Sequence, residues 1–403
     1  MKTVAVISEY NPFHAGHALL FRRIRERFGK DSAILCIMSG NFVQRGEGAI
    51  LSKWARAKAA VAEGADLVLE LPFPYSAAAA ERFARAGVAI ADSLSSVDHL
   101  AFGSESGDTE RLLRIARNME SEEFARAYAE VDANKASGSA EKSALAYEMV
   151  FGREEALLTP NDILGIEYIR ALLARKSAIR PVAFMREGAV HDEEKNGDGN
   201  DCIYSAMTAR RMLSGGMEEQ ALSLLPAASA AVIREELAAG RAVLSQEKLL
   251  DLLLIHYRLH SPDTYKQADG LGGGLAERAF AAAARAQDGA SFFEAIRTKR
   301  YTDAFLRRAL LAGLFGVTRE GLNGEPPYTQ VLAFSARGRA ILATARKRTS
   351  LPILTKPADY KDLPEKAKEA AELSLRADSI YCALSRVPSS PSDTLRHSPY
   401  RKD

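Results

Sequence analysis

The sequence lacks the marks of a disulfide-rich, zinc-binding or membrane-spanning protein. Its 403 residues include only three cysteines, Cys36, Cys202 and Cys382, which lie far apart and match no disulfide framework or zinc-ligand spacing. No run of about 18 apolar residues occurs, and no signal-peptide pattern follows Met1. We therefore expect a cytoplasmic protein with reduced thiols, no membrane segment and no bound structural metal.

Positive and negative residues nearly balance over the whole chain, whose formal net charge is +2, but they are unevenly distributed along it. Residues 299–403 contain 19 Lys and Arg against 11 Asp and Glu, which gives +8 there and leaves −6 for residues 1–298. A basic C-terminal quarter suits contact with a polyanion. Charge alone fits a solvated surface of chance asymmetry equally well.

Short apolar segments alternate with helical patterns over the first 215 residues. The strand candidates are residues 3–8, 33–38, 67–71, 97–102 and 180–185. This alternation predicts parallel βαβ units, whose ligands bind at the carboxyl ends of the strands. Residues 216–315 have helical patterns, and residues 328–355 predict a small mixed unit of strand, helix and strand. The tail over 376–403 is expected to be partly disordered.

The sequence His14-Ala15-Gly16-His17 lies where the first strand ends and the first helix begins. A helix N-terminus favours phosphate, Gly16 permits close approach, and His14 and His17 share one helical face. Two imidazoles there are suited to stabilise charge on an attacked α-phosphate. The alternatives are two partly exposed histidines near a cap, or a metal pair, for which no third ligand lies nearby. The position directly after a strand favours the nucleotide site.

This arrangement of strand, His-x-Gly-His and helix resembles the nucleotidyltransferase superfamily. Longer segments resemble the bacterial tRNA(Met) cytidine acetate ligase family more specifically, and these are residues 9–17, 38–46, 53–56, 64–72, 102–105, 161–165, 298–302 and 351–356. The resemblance implies a Rossmann-like nucleotidyltransferase domain with a parallel sheet over 1–215. It also implies a mainly helical, basic tRNA-binding region over 216–375.

The resemblance further implies an ATP-dependent carbon–nitrogen ligase. Members of the family activate acetate as acetyl-adenylate and then acetylate the wobble cytidine of elongator tRNA(Met), giving N4-acetylcytidine. The implied co-substrate is ATP, for which Mg²⁺ is the expected companion. The implied partners are acetate and elongator tRNA(Met), and no membrane is involved.

Residue by residue, the resemblance places the catalytic role on His14 and His17. It maps ATP binding onto Ile7, Ser8, Glu9, Tyr10, Asn11, Pro12, Phe13, His14, Ala15, Gly16, His17, Ala18, Leu19 and Leu20, and onto Gly103, Asn161 and Arg186. Without the resemblance, each residue has an ordinary structural interpretation: Gly103 as a turn glycine, Asn161 as a helix cap, and Arg186 as a partner in a surface ion pair.

The loop 40–46 follows the second strand, and its Asn41, Gln44 and Arg45 are candidates for the acetate or cytidine pocket. Lys53 and Arg56 either add positive charge beside that pocket or are solvated helix charges.

A late segment, residues 205–210, resembles the superfamily's Ser-rich phosphate signature, and Arg210 is its strongest ATP-binding candidate. Met207 stands where a hydroxyl residue is usual, which weakens the roles of Ser205 and Thr208. For tRNA, the basic region offers Lys299, Arg300, Arg307 and Arg308.

Two other classes of function stay open from the sequence alone. One is a different nucleotidyltransferase that makes an adenylate or cytidylate of a small metabolite, which leaves the basic region unexplained. The other is a nucleic-acid-binding module with a vestigial nucleotide fold, which leaves the intact His14, Gly16 and His17 unexplained.

Overall fold

The structure is a computed structural model that describes residues 1–131, 139–152, 159–186 and 204–402. The strands are β1 (Thr3–Ser8), β2 (Ala33–Ser39), β3 (Phe42–Val43), β4 (Glu47–Gly48), β5 (Leu67–Leu71), β6 (His99–Ser104), β7 (Arg180–Met185), β8 (Thr329–Phe334), β9 (Ile353–Leu354) and β10 (Tyr400–Arg401).

Helices make up most of the remaining described chain. They are α1 (Ala15–Phe28), α2 (Lys53–Ala62), α3 (Ala80–Ser93), α4 (Thr109–Asn118), α5 (Glu122–Glu130), α6 (Ser139–Phe151), α7 (Pro160–Ala174), α8 (Ala206–Ser214), α9 (Glu218–Ser223), α10 (Ala227–Ala238), α11 (Glu247–Leu259), α12 (Leu275–Ala283), α13 (Gly289–Ile296), α14 (Asp303–Phe315), α15 (Arg319–Asn323), α16 (Ala336–Arg346), α17 (Glu365–Cys382) and α18 (Pro391–Arg396). Within the described ranges, no helix is long and apolar enough to cross a bilayer.

One sheet organises the described chain, in the order β10-β8-β5-β2-β1-β6-β7, with β9 beside β8. The pairs among β5, β2, β1, β6 and β7 are parallel, whereas β8 runs antiparallel to β5. The predicted α/β fold class is confirmed, including the parallel sheet and the helical C-terminal region.

Helices cover both faces of the sheet, which explains the continuous apolar strands. Val4 and Val6 of β1 belong to a buried cluster that includes Phe21 of α1 and Trp54 of α2. Ala5 and Ile7 belong to the opposite cluster with α3 and α7. Successive strand residues point to opposite faces, so burial on both faces leaves no position for a polar residue in the middle of β1.

The C-terminal region contributes to the same sheet rather than standing apart from it. The predicted strand–helix–strand unit is present as β8, α16 and β9, but β8 pairs with β5 of the N-terminal region. The tail was expected to be partly disordered over 376–403; its described part, 376–402, instead completes α17, forms α18 and ends in β10, which pairs with β8. The predicted domain boundary at residue 215 therefore does not separate two sheets, because strands from both sides of it pair in one sheet.

Candidate nucleotide-binding site

A cleft opens at the carboxyl ends of β1, β6 and β7, beside the N-terminus of α1. From the predicted ATP-binding stretch, the residues that line it are Ile7, Ser8, His14, Gly16, His17, Leu19 and Leu20. Gly103, Asn161 and Arg186 line the same cleft from the other side. Four separate sequence segments thus meet at the sheet edge where parallel α/β folds bind ligands.

The two histidines of the motif are fixed as a pair by backbone hydrogen bonds. Gly16 N–H donates to Nδ1 of His14 at 3.0 Å, and His14 N–H donates to Nδ1 of His17 at 3.2 Å. Because each Nδ1 accepts a hydrogen bond, the single N–H proton of each neutral imidazole is on Nε2. The ring centroids are 3.9 Å apart, and both residues line the cleft.

Both imidazoles are neutral at physiological pH. Burial, together with the nearby charges of Arg186 and Arg210, lowers the pKa of His14 to about 4. Burial also lowers the pKa of His17, and the neighbouring His14 and Arg186 add to the effect. Neutral donors bind phosphate through hydrogen bonds, while the positive charge in the cleft comes from arginine.

The remaining residues of the predicted ATP-binding stretch lie behind the cleft or beside it. Tyr10 and Phe13 are buried and pack against the His17 ring, with centroid distances of 4.8 and 5.3 Å. They support the His17 ring and are not among the residues that line the cleft. Glu9, Asn11, Pro12, Ala15 and Ala18 also contribute no lining residue to the cleft.

A carboxylate that the sequence analysis did not assign organises the far side of the cleft. Glu105 follows β6 and accepts hydrogen bonds from Thr159 Oγ1 and Asn161 Nδ2. Its Oε1 lies 3.8 Å from Nη1 of Arg186. A Cβ on Gly103 would come within 3.2 Å of the Arg186 side chain, so the glycine gives that arginine room.

Two further cleft residues were missed although the sequence contained a signal for them. Asn161, Leu164 and Tyr168 are spaced at i, i+3 and i+7 on α7, and all three line the cleft. This spacing marks one helical face, so it was the signal from which Leu164 and Tyr168 could have been found once Asn161 was assigned.

None of the late-signature residues Ser205, Thr208 and Arg210 is among the residues that line the cleft. Arg210 on α8 donates from Nη1 to the Asn11 carbonyl at 2.6 Å, which ties α8 to the motif segment. Ser205 caps α8 by accepting from Thr208 N–H at 3.1 Å, and its hydroxyl also contacts the Thr208 hydroxyl at 3.0 Å. Met207 is exposed, so its departure from the family pattern does not disturb the packing of α8.

Asn41 does not fit the predicted acetate or cytidine pocket. Its amide donates to Asp378 of α17 at 2.8 Å and accepts from Lys53 N–H at 2.7 Å, and the residue is buried. Lys53 is buried too, with Nζ bonded to Glu70 and Asp378. Because these polar atoms are already paired, this cluster fixes the loop rather than binding a ligand.

Arg56 is likewise a buried structural residue rather than a solvated charge. It donates to the carbonyl oxygens of Leu51, Glu9 and Gly40 at 3.0, 2.5 and 2.5 Å, and thereby joins the ends of β1 and β2.

Gln44 and Arg45 stay candidates beside the cleft. Gln44 N–H donates to the Glu9 carboxylate at 2.8 Å. Its side-chain Nε2 is shielded from solvent and finds no hydrogen-bond partner among the described residues. Arg45 is exposed and close enough to Glu9 to act on it electrostatically.

The four predicted RNA-contact residues separate into two pairs. Arg308 donates to the Gln44 carbonyl at 3.0 Å, and Arg307 pairs with Glu47 at 2.7 Å, so both fix the 40–47 loop against α14. Lys299 and Arg300 are exposed, and Arg300 lies 5.3 Å from the centroid of the Tyr301 ring. Lys299 and Arg300 therefore remain candidates for contact with RNA phosphates.

Comparisons with known proteins agree with this geometry. A model of the HIGH nucleotidyl transferase family matches residues 1–394. The tRNA(Met) cytidine acetate ligase of Syntrophotalea carbinolica is 38% identical over 366 residues, covering 88% of this chain and 85% of that protein. The chain belongs to the tRNA(Met) cytidine acetate ligase family. The relative of that name from Acetivibrio thermocellus is 32% identical over 403 residues, covering 96% of each chain.

Solved structures of the family share the whole fold. Thermotoga maritima TmcAL bound with alpha-thio ATP is 31% identical, with a TM-score of 0.89 and coverage of 100% of both chains. The apo form of that protein gives a TM-score of 0.90 at 32% identity, again over 100% of both chains. A protein of the same family and fold has thus been solved with a bound ATP analogue.

Proposed function

We propose that this protein is an ATP-dependent ligase that forms acetyl-adenylate and transfers the acetyl group to N4 of the wobble cytidine in elongator tRNA(Met). The observation that carries the proposal is the pair of neutral imidazoles, whose backbone-bonded Nδ1 atoms leave two Nε2–H donors for the cleft. Membership of the family supports the choice of acid and acceptor.

In the first step, an acetate oxygen attacks the α-phosphorus of ATP, and the bond to the bridging oxygen of pyrophosphate breaks. Negative charge grows on the non-bridging oxygens, which the Nε2–H groups of His14 and His17 stabilise through hydrogen bonds. Arg186 and Arg210 supply the positive charge for the phosphates. Both act electrostatically on His14, which supports a position beside the same phosphate group.

The proposed adenine pocket is the apolar side of the cleft. Leu164 and Tyr168 of α7 and Phe102 of β6 provide apolar surface, and Asn161 provides a polar edge. Pockets for bases combine apolar walls with a few polar groups in this way.

Mg²⁺ is proposed as a companion of ATP rather than as a resident of the protein. Among the described residues, no three His, Cys, Asp or Glu side chains are grouped to hold a metal ion. Mg²⁺ commonly binds through substrate phosphates and keeps several waters, which requires no such group. When bound, it would neutralise charge on the phosphates that Arg186 and Arg210 face.

The acceptor RNA is proposed to reach the cleft from the side of Lys299 and Arg300. The exposed side chains of Lys299 and Arg300 suit contact with phosphates, and the neighbouring Tyr301 ring suits stacking on an unpaired base. A base in an anticodon loop is unstacked at lower cost than one in a duplex. A tRNA substrate supports a cytoplasmic location for the proposed reaction.

Incubation with ATP, labelled acetate and elongator tRNA(Met) tests the proposal. We expect ATP-dependent incorporation of label into the tRNA as N4-acetylcytidine. His17→Ala should abolish it while tRNA binding persists, and His260→Ala, which changes an exposed histidine distant in sequence from the motif, should leave it unchanged. Consumption of ATP with a phosphorylated metabolite and no RNA would instead identify a different nucleotidyltransferase.

A further inference from the structure

Asn161 is the cleft residue whose hydrogen-bonding direction the structure determines. It lies in the first turn of α7 and lines the cleft, and its Nδ2 donates to Oε1 of Glu105. The residue that precedes α7 is Thr159, whose side chain makes no capping bond to the helix and donates to Glu105 instead. The start of α7 therefore does not use these two side chains as caps, and both turn towards one carboxylate.

Glu105 itself lies outside the cleft and is held through both of its oxygens. It directly follows β6, and it is not among the residues that line the cleft. Thr159 donates to Oε2 and Asn161 to Oε1, and Nη1 of Arg186 lies 3.8 Å from Oε1. Because the carboxylate has no surface in the cleft, it acts on a ligand there only through these neighbours.

The carboxylate decides which end of the Asn161 amide faces it. A carboxylate only accepts hydrogen bonds, whereas an amide has a donating NH₂ end and an accepting oxygen. Turning the amide by about 180° would place Oδ1 against Oε1 and leave two acceptors without a hydrogen between them. No described residue donates to Asn161 Oδ1. Asn161 thus keeps one acceptor atom, Oδ1, for a ligand.

An acceptor at this position selects the part of ATP that it can bind. Phosphate oxygens are acceptors, so they suit the two imidazoles of the motif and Arg186 rather than Oδ1. The donors of ATP that suit Oδ1 are in the nucleoside, namely the 6-amino group of adenine and the two ribose hydroxyls. Leu164 and Tyr168 share the helical face of Asn161 and line the cleft, so apolar surface for a base lies beside this acceptor.

We propose that Glu105 is a positioning residue that determines nucleotide specificity: it holds the Asn161 amide so that Oδ1 accepts a hydrogen bond from a nucleoside donor of ATP. A triphosphate without that donor leaves Oδ1 unpaired and binds more weakly. The bond to Glu105 prevents the amide from turning to accommodate such a ligand. The inference rests on the proposed function in taking ATP as the nucleotide of the cleft.

Equilibrium binding to the full-length protein, measured by calorimetry, tests the inference with ATP and three analogues. Purine riboside triphosphate lacks the 6-amino group, and 2′-deoxy-ATP and 3′-deoxy-ATP each lack one ribose hydroxyl. For the wild type we expect at least one analogue to bind about 10-fold more weakly than ATP, the cost of one lost hydrogen bond. The analogue that does so shows which donor Oδ1 accepts from. Equal affinities for ATP and all three analogues would overturn the proposal.

The ratio of the Kd of that analogue to the Kd of ATP is the quantity to follow in the variants. In Glu105→Ala and in Asn161→Ala it should fall to about 2-fold. The double variant should match Asn161→Ala, because Glu105 acts through that amide. Glu105→Gln should be intermediate, since its amide can accept from Nδ2 or donate to Oδ1. The control Glu235→Ala, which removes an exposed carboxylate bonded to Lys58, should keep the wild-type ratio.

A role confined to folding, or to the charge beside Arg186, predicts a different pattern. It would change the Kd of ATP and of every analogue by the same factor and leave the ratio as in the wild type. A wild-type ratio in Glu105→Ala would overturn the proposal, and so would a further loss in the double variant beyond Asn161→Ala. If Glu105→Ala does not fold, the milder Glu105→Gln decides, and a wild-type ratio there would overturn the proposal as well.

Failure of the proposed function is visible separately, because binding is measured without acetate or RNA. A wild-type protein that distinguishes ATP from the analogues but shows no acetate-dependent exchange of pyrophosphate would refute formation of acetyl-adenylate and leave the role of Glu105 standing. Acetate-dependent exchange together with an unchanged ratio in the Glu105 variants would refute the role of Glu105 and leave the proposed function standing.

Discussion

Replacing Lys53 with Met tests whether a buried charge cluster holds the loop beside the cleft. Lys53 Nζ lies 2.8 Å from Glu70 Oε1 and 2.8 Å from Asp378 Oδ2. The three side chains are only 2%, 2% and 6% exposed. Methionine fills a similar volume without the ammonium, so the variant leaves two buried carboxylates without their shared partner.

The structure sets the size of the expected loss. Removing one partner of a buried ion pair costs about 3–5 kcal/mol. Arg56 stays close enough to attract both carboxylates, so we expect the lower end, about 3 kcal/mol, in the free energy of unfolding. Denaturant unfolding of purified protein measures this value directly.

A lysine on the same helix provides the control. Lys58 pairs with Glu235 at the surface, where the side chains are 36% and 55% exposed. Lys58→Met should therefore cost less than about 1 kcal/mol. If Lys53→Met also unfolds within about 1 kcal/mol of wild type, the cluster does not stabilise the fold as argued.

The pH dependence of the same variant has a defined sign. Burial raises the pKa of Glu70 even though the ammonium of Lys53 opposes the rise, and loss of that cation raises it further. The folded variant then binds a proton more readily than the unfolded chain. Its stability deficit should accordingly shrink as pH falls toward and through the raised pKa of Glu70.

Three further predictions concern the loop, the phosphates and the RNA. Gly46→Ala should cost clearly more stability than Gly216→Ala, since both have positive φ (+73° and +77°), but only at Gly46 would a Cβ lie 2.7 Å from Arg308 N; denaturant unfolding compares them. Arg186→Lys should raise the KM for ATP by about 10-fold, because a single ammonium cannot bind phosphate bidentately, and unchanged KM would remove Arg186 from the phosphate site. The double variant Lys299→Glu with Arg300→Glu should weaken tRNA binding and flatten its salt dependence without changing pyrophosphate exchange; equal salt slopes would place the RNA elsewhere.

Local signals in the sequence were enough to predict the strand, the motif position and the helix that frame the cleft. The apolar run of β1, the motif at its end and the start of α1 are adjacent in the chain, so their geometry follows from strand and helix rules. The strands β2, β5 and β7 were also found within a residue of their observed bounds.

Long-range pairing was not accessible from the same signals. Asn41 looked free for a ligand because its partner Asp378 lies 337 residues away. Arg307 and Arg308 looked like RNA contacts because charge counts do not reveal that Glu47 and the Gln44 carbonyl occupy them. Residues 400–401 have too little apolar length to indicate a strand, yet pairing with β8 makes them one.

The most direct test of the central claim is acetate-dependent exchange of labelled pyrophosphate into ATP in the absence of RNA. We expect exchange that requires acetate, and its loss in His14→Ala and in His17→Ala, because the proposed mechanism uses both Nε2–H donors at the attacked α-phosphate. Exchange that is independent of acetate, or that survives loss of either imidazole at the wild-type rate, would contradict adenylate formation at this cleft.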